Sequence, residues 1–83
     1  MCYFYIIYSK DIDSYYTGHS CEDLVERIRK HNSNHRGYTG KADDWILLFS
    51  ERYGDKSAAY AREREVKSWK SRKRIEHLIF GSD

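Results

Sequence analysis

The chain has no proline, one methionine and only two cysteines among its 83 residues. The missing proline carries no functional inference, but other absences exclude whole classes. No apolar run approaches the roughly 18 residues that span a bilayer, so no membrane helix is expected. No signal-peptide pattern precedes the first predicted strand. Cys2 and Cys21 fit neither a metal-ligand spacing nor a secreted disulfide framework, and read as free thiols in a reducing cytoplasm. No glycine-rich phosphate loop opens a helix, and there is no GxSxG elbow and no HExxH pair. Cys21 lies near His19 and His31 in sequence, yet a cysteine beside a helix cap is more often incidental than nucleophilic. Repeats, linkers and low-complexity segments are also missing, which leaves residues 1–83 as one domain too short for separate catalytic and recognition modules.

Hydrophobic residues make up 40% and charged residues 34%, the balance of a soluble globular fold rather than a disordered chain. So small a domain buries only about 60–65% of its unfolded surface and is expected to be marginally stable. A net charge of +2 is a weak argument for any partner. Its distribution says more. Arg27, Arg29, Lys30, His31, His35, Arg36 and Lys41 form one basic sector, and Lys67, Lys70, Arg72, Lys73 and Arg74 form another. A polyanion senses such clusters within a Debye length of ~8 Å. Ordinary solvated helix faces explain them equally well.

Residues 2–9 are aromatic and β-branched, apolar on both faces, and predict a central strand. Lys10–Asp13 predicts a hairpin turn, and Ser14–Gly18 the antiparallel partner. If Ile7 opposes Ser14, Tyr5 faces Tyr16 directly and the two phenols share a side. Ser20 is the expected N-cap of a helix running to Asn32, with Leu24, Val25 and Ile28 inward and Arg27 and His31 along one edge. Residues 33–44 predict a glycine-punctuated loop, and Trp45–Tyr53 a third strand. Asp55 caps a helix of Lys56–Trp69 whose inner side carries Ala58, Ala59, Val66, Trp69 and, awkwardly, Arg62. Ser71 caps a last helix burying Ile75, Leu78 and Ile79. The order implies an α+β fold: a small three-stranded antiparallel sheet flanked by helices.

Several residues here suit phosphodiester chemistry. Tyr5 and Tyr16 can move protons only if their pKa of about 10 is lowered, and Arg27 is the cation placed to do so while clamping a phosphate oxygen. His31 can donate to phosphate, and Glu63 or Glu65 can hold Mg²⁺ through one carboxylate. Each has a plainer reading. Tyrosines fill small sheets with their hydroxyls at the surface. A histidine at a helix C-terminus suits the macrodipole. Glu63 precedes Lys67 by four residues, a stabilising surface pair.

Tyr3-Phe4-Tyr5, then Tyr16-Thr17-Gly18, the helix with Leu24, Arg27 and His31-Asn32, and the Ala58–Lys67 stretch with Glu63 occur in a telling order. In this order and spacing the chain resembles the GIY-YIG nuclease superfamily, in its small stand-alone bacterial branch related to the nuclease domain of the excision-repair protein UvrC. Three departures are visible: the first signature lacks its glycine, His19 stands where repair-type members carry lysine, and the Gly18–Leu24 stretch is one residue longer. The resemblance implies a Mg²⁺- or Mn²⁺-dependent endonuclease with a single ion on Glu63. Tyr5, Tyr16, Arg27, His31 and Glu63 are then catalytic and His19 contacts nucleic acid, with Arg36, Lys41 and Arg72 added as phosphate contacts from the basic sectors they belong to. It further implies a role in DNA repair on branched, damaged or single-stranded DNA, alone, as a homodimer or in a larger repair or recombination assembly. The alternative is a nucleic-acid-binding module that keeps the fold with weak or no turnover. A protein-interaction domain without DNA affinity is a third reading.

Overall fold

The computed structural model describes residues 1–33 and 37–81. Three strands, β1 (Cys2–Ser9), β2 (Ser14–Ser20) and β3 (Ile46–Tyr53), form an antiparallel sheet in the order β2-β1-β3. The expected α+β architecture is therefore found, with the doubly apolar strand at its centre. Helix α1 (Leu24–Ser33) and a 3-10 turn (Tyr38–Lys41) lie between β2 and β3, and α2 (Lys56–Ser68) and α3 (Arg72–Phe80) follow β3. Among the described residues no helix is long and apolar enough to cross a membrane.

Alternation along β1 supplies two cores. Tyr5 and Ile7 point to one side and pack with Ala42 and Trp45, bordered by Tyr16, Leu24 and Ile28. Phe4 and Ile6 point to the other and pack with Val66, bordered by Phe49, Trp69, Ile75 and Leu78. This is the period-two side-chain pattern of a strand covered on both faces. Asn32 joins the end of α1 to β3: its side chain donates to the Trp45 carbonyl (3.1 Å) and accepts the Trp45 N–H (2.7 Å).

Four local expectations need correction. The register pairs Ile7 with Tyr16 and Tyr5 with Gly18, two residues from the expected one. An even shift preserves the faces, so the phenols of Tyr5 and Tyr16 still share a side, diagonally rather than opposite. The second strand runs two residues further than expected, to Ser20, which moves the helix cap. Asp23 takes that place, its carboxylate accepting from Glu26 N at 3.2 Å, while Ser20 Oγ accepts from Glu22 N. Val25 is 78% exposed, because the inward stripe of α1 is Leu24, Ile28 and the polar His31, for which Tyr5 and Thr39 provide partners. Finally, Cys2 and Cys21 are joined in a disulfide rather than free, since the extra pairing of β2 brings its end beside the start of β1.

Candidate nucleic-acid interface

Gly18 opens the site. Its place opposite Tyr5 leaves no room for a side chain: a Cβ there would lie 2.6 Å from the Tyr5 hydroxyl and 2.7 Å from the ring carbon bearing it. The second signature's glycine thus makes the space in which the first signature's tyrosine reaches α1. Tyr5 is 1% exposed. Its hydroxyl lies 2.7 Å from His31 Nε2 and accepts from Arg27 Nε at 3.4 Å. His31 Nδ1 lies 3.0 Å from Thr39 Oγ1.

Burial, with the Arg27 guanidinium adding to it, depresses the His31 pKa to about 4, so the ring is neutral at physiological pH. A neutral imidazole has one N–H and one acceptor nitrogen. One ring nitrogen meets the Tyr5 hydroxyl and the other Thr39 Oγ1, so Arg27, Tyr5, His31 and Thr39 form one hydrogen-bonded chain. Burial raises the Tyr5 pKa more than the hydrogen bond and charge of Arg27 lower it. That direction is opposite to the one a phenolate base requires.

Arg27 and His31 form one wall of a groove of about 220 Å³ whose other lining residues include Tyr16, Lys30, Tyr38 and Thr39. One carboxylate serves both of its cations: Glu22 lies 3.0 Å from Lys30 Nζ and 3.7 Å from Arg27 Nη1. Lys41 lies over the Tyr38 ring, 4.9 Å from its centroid, with no carboxylate within ion-pair distance among the described residues. The groove is consequently cationic, polar and open.

Glu63, on α2, meets His19, on β2, and its charge adds to the rise of the Tyr5 pKa. His19 donates Nδ1–H to Glu63 Oε1 at 2.5 Å, and Lys67 Nζ donates to Oε2 at 2.6 Å. Lys67 also lies 5.2 Å from the centre of the Tyr16 ring, linking this cluster to the phenol side. Both oxygens of the buried carboxylate are therefore engaged, one of them by an ammonium where a metal would place its own charge. Among the described residues no three His, Cys, Asp or Glu side chains come together as a metal site. This donor set does not fit the Mg²⁺ or Mn²⁺ expected on Glu63.

The expected site residues thus fall into separate settings. Tyr5, Arg27 and His31 are hydrogen-bonded together, and Tyr16 borders them through its ring, 5.4 Å from that of His31. Glu63 is hydrogen-bonded to His19 and Lys67, and its charge also reaches the Tyr5 phenol. Arg36 lies outside the described residues. Arg72 is half-exposed but paired: it donates to the Asp13 carboxylate (2.7 Å), the Asp13 carbonyl (2.9 Å) and Glu76 (3.1 Å), while stacking over Tyr15. Arg62, the misplaced guanidinium of α2, is absorbed by Glu51 and Glu65. Thr39 and Tyr38 were not foreseen, since a loop sequence carries no periodicity that aims its side chains. Lys67 had a signal in its i,i+4 spacing from Glu63, read only as a surface pair.

A three-stranded sheet carrying this tyrosine, glycine and arginine arrangement defines the class. Residues 1–76 match the GIY-YIG catalytic domain, and the chain belongs to that family. It is 36% identical over 80 residues to a UPF0213 protein of Staphylococcus saprophyticus, covering 95% of each chain. It is 34% identical to a UPF0213 protein of the archaeon Haloquadratum walsbyi, over 98% of this chain and 90% of the other. The solution structure of a UPF0213 protein from Bacillus halodurans superposes with a TM-score of 0.55 at 33% identity, over 95% of this chain and 83% of that one. An archaeal relative shows that the resemblance is not confined to a bacterial branch.

These findings correct the enzymatic expectation. The relatives bear a family number and no nuclease activity in their names, and no metal-binding cluster exists among the described residues. A metal-dependent endonuclease, with the hydrolase, metal-binding and DNA-repair roles that go with it, is not supported. The alternative of a binding module on the same fold accords better with the site.

Proposed function

We propose that this domain is a nucleic-acid-binding module that holds DNA phosphates on Arg27 and Lys30, in the groove that His31 backs, without metal-dependent turnover. The observation that carries the reading is the single Glu22 carboxylate shared by Arg27 and Lys30. A groove with more positive charge than its own carboxylates neutralise suits a polyanion. Arg27 spends its Nε–H on Tyr5, which fixes the plane of the guanidinium and leaves its outer N–H groups for phosphate oxygens. Lys41 extends the cationic rim, and His19 and Arg36 are further candidates for contact. Branched, damaged and single-stranded DNA are the substrates to compare, with a homodimer or larger assembly as the route to higher affinity. A kinship with the excision-repair nuclease domain is consistent with this DNA-facing reading. A DNA ligand implies action in the cytoplasm, where the Cys2–Cys21 bond is subject to reduction.

The test is fluorescence anisotropy with labelled single-stranded and duplex DNA across a salt series, in Mg²⁺ and in EDTA at matched ionic strength. Affinity should fall with salt, with a log–log slope of about −0.9 per phosphate contact on duplex and −0.7 on single strands. Removing Mg²⁺ should change nothing, and the DNA should be recovered intact. Binding that ignores salt, or that needs the metal, overturns the reading.

A further inference from the structure

Tyr16 and Tyr38 stack with ring centroids 6.0 Å apart and planes 18° from parallel. Tyr38 is 42% exposed, and its hydroxyl bonds to Ser14. This pair is a wall with a groove on each side. The phosphate groove just described is lined by polar groups. The second groove, about 260 Å³, lies between β2 and the α2–α3 junction, with Ile75 contributing apolar surface and Lys67 and Lys70 the cations. Its volume is below the range of drug-sized ligand sites and suits a flat group the size of one base.

The two grooves differ as the two parts of a nucleotide differ. Phosphate suits the first, whereas a base offers an apolar π-face that the aromatic wall and aliphatic lining of the second can cover. Lys67 lies over the Tyr16 ring and reaches the groove although Glu63 holds one of its protons. Lys70 sits at the α2–α3 joint in the left-handed backbone conformation (φ 48°), a position where glycine would be the relaxed choice. A lysine there accepts the strain and adds a cation to the groove. Among the described residues it has no carboxylate within ion-pair distance.

We propose that the groove beside Tyr16 and Tyr38 binds an unpaired nucleobase of a DNA strand, with flanking phosphates on Lys67 and Lys70. This rests on the DNA-binding reading and extends it to a second subsite across the tyrosine wall. A single strand or an extruded base can enter, and an intact duplex cannot present a base there without unpairing it.

The test compares two short labelled single strands of equal phosphate number, one complete and one with its central nucleotides abasic, by anisotropy over a salt series. The complete strand should bind on the order of tenfold more tightly, the effect of one base–aromatic stack, with the same salt slope. Tyr38→Phe should keep that gap and Tyr38→Leu should close it, with circular dichroism confirming that both variants fold. Lys70→Ala should lower the magnitude of the slope on the complete strand by about 0.7. Equal affinity for the two strands with normal salt dependence overturns the base subsite and leaves the phosphate groove standing. A gap that survives Tyr38→Leu also overturns it. Failure of both strands to bind in a salt-dependent way overturns the DNA-binding reading and this one with it.

Discussion

Arg62 and Arg72 on one side of the sheet and Arg27 on the other are held in opposite ways. On the α2–α3 side Arg62 meets Glu51 and Glu65, and Arg72 meets Asp13 and Glu76, two carboxylates for each guanidinium. On the α1 side Arg27 and Lys30 divide one glutamate, and the nearest partner of Arg27 is a neutral phenol. The first arrangement fastens elements together: Arg72 ties α3 to the β1–β2 turn, and Arg62 ties α2 to β3. The second leaves hydrogen-bond donors facing outward. Partner saturation, rather than the number of basic residues in a stretch, separates a structural cation from one available to a polyanion.

The same contrast appears in the cores. Phe4, Ile6 and Val66 form an apolar cluster with no polar member. Tyr5, in the other cluster, carries a hydroxyl into the interior and thereby requires a buried chain of partners ending at Thr39. Such a chain holds only while every member keeps its proton state and its space, which makes the α1 side the more easily broken of the two.

The largest break should come from acid. His31 is neutral in the fold, with a pKa near 4 against an unperturbed 6.5. Between those values the unfolded chain binds the proton and the folded one does not. Stability is therefore fully present above about pH 6.5 and falls as pH drops towards 4, by on the order of 2–3 kcal/mol. Urea unfolding at pH 7, 5.5 and 4 measures this. A His31→Gln variant should lose that part of the slope while keeping the acid sensitivity of the carboxylate pairs at lower pH. An identical slope in the variant would place the titrating group elsewhere.

A smaller break attacks the space instead of the proton. Gly18→Ala puts a methyl against the Tyr5 hydroxyl and ring, an overpacking that costs about 1–3 kcal/mol. Displacing the phenol should also detach Arg27 and His31, so DNA affinity falls together with the urea midpoint. Combining Gly18→Ala with Tyr5→Leu should recover part of the stability and none of the affinity. Recovery of both would show that the phenol does not position Arg27.

Much of the fold was legible because hydrophobic period is a local property. The two-faced apolarity of residues 2–9 announced a central strand, and Asp55 and Ser71 were read as caps that the structure bears out. The start of α1 was misplaced because both Ser20 and Asp23 can cap, and only the length of β2 decides between them. Val25 was misread because an apolar residue was assumed to face inward, whereas Tyr5 gives polar residues better partners there. The site was legible in part: Tyr5, Arg27 and His31 meet, but their roles depend on burial, which no spacing reports. The pairing of Glu63 with His19 spans 44 residues and the clamp of Arg72 on Asp13 spans 59. Contacts at such separations leave no mark on helical or strand periodicity, so neither the clamp of Arg72 nor the partners of Glu63 could be read from spacing.

The smallest expected effect is the most direct test of the comparison, because it opposes one arginine from each side. Arg27→Ala removes donors that face the groove and should weaken DNA binding by roughly tenfold, with a salt slope shallower by about 1. Its stability should change little, since what it loses is a long hydrogen bond to Tyr5 and a distant Glu22. Arg72→Ala removes a clamp and should do the reverse, lowering the urea midpoint while leaving affinity and salt slope in place. Arg27→Lys should restore the charge and much of the slope but not all of the affinity, because an ammonium lacks the planar fork that holds two phosphate oxygens. If Arg72→Ala weakens DNA binding as much as Arg27→Ala does, saturation by carboxylates does not silence a cation in this domain. The DNA path would then cross the α3 side of the molecule as well.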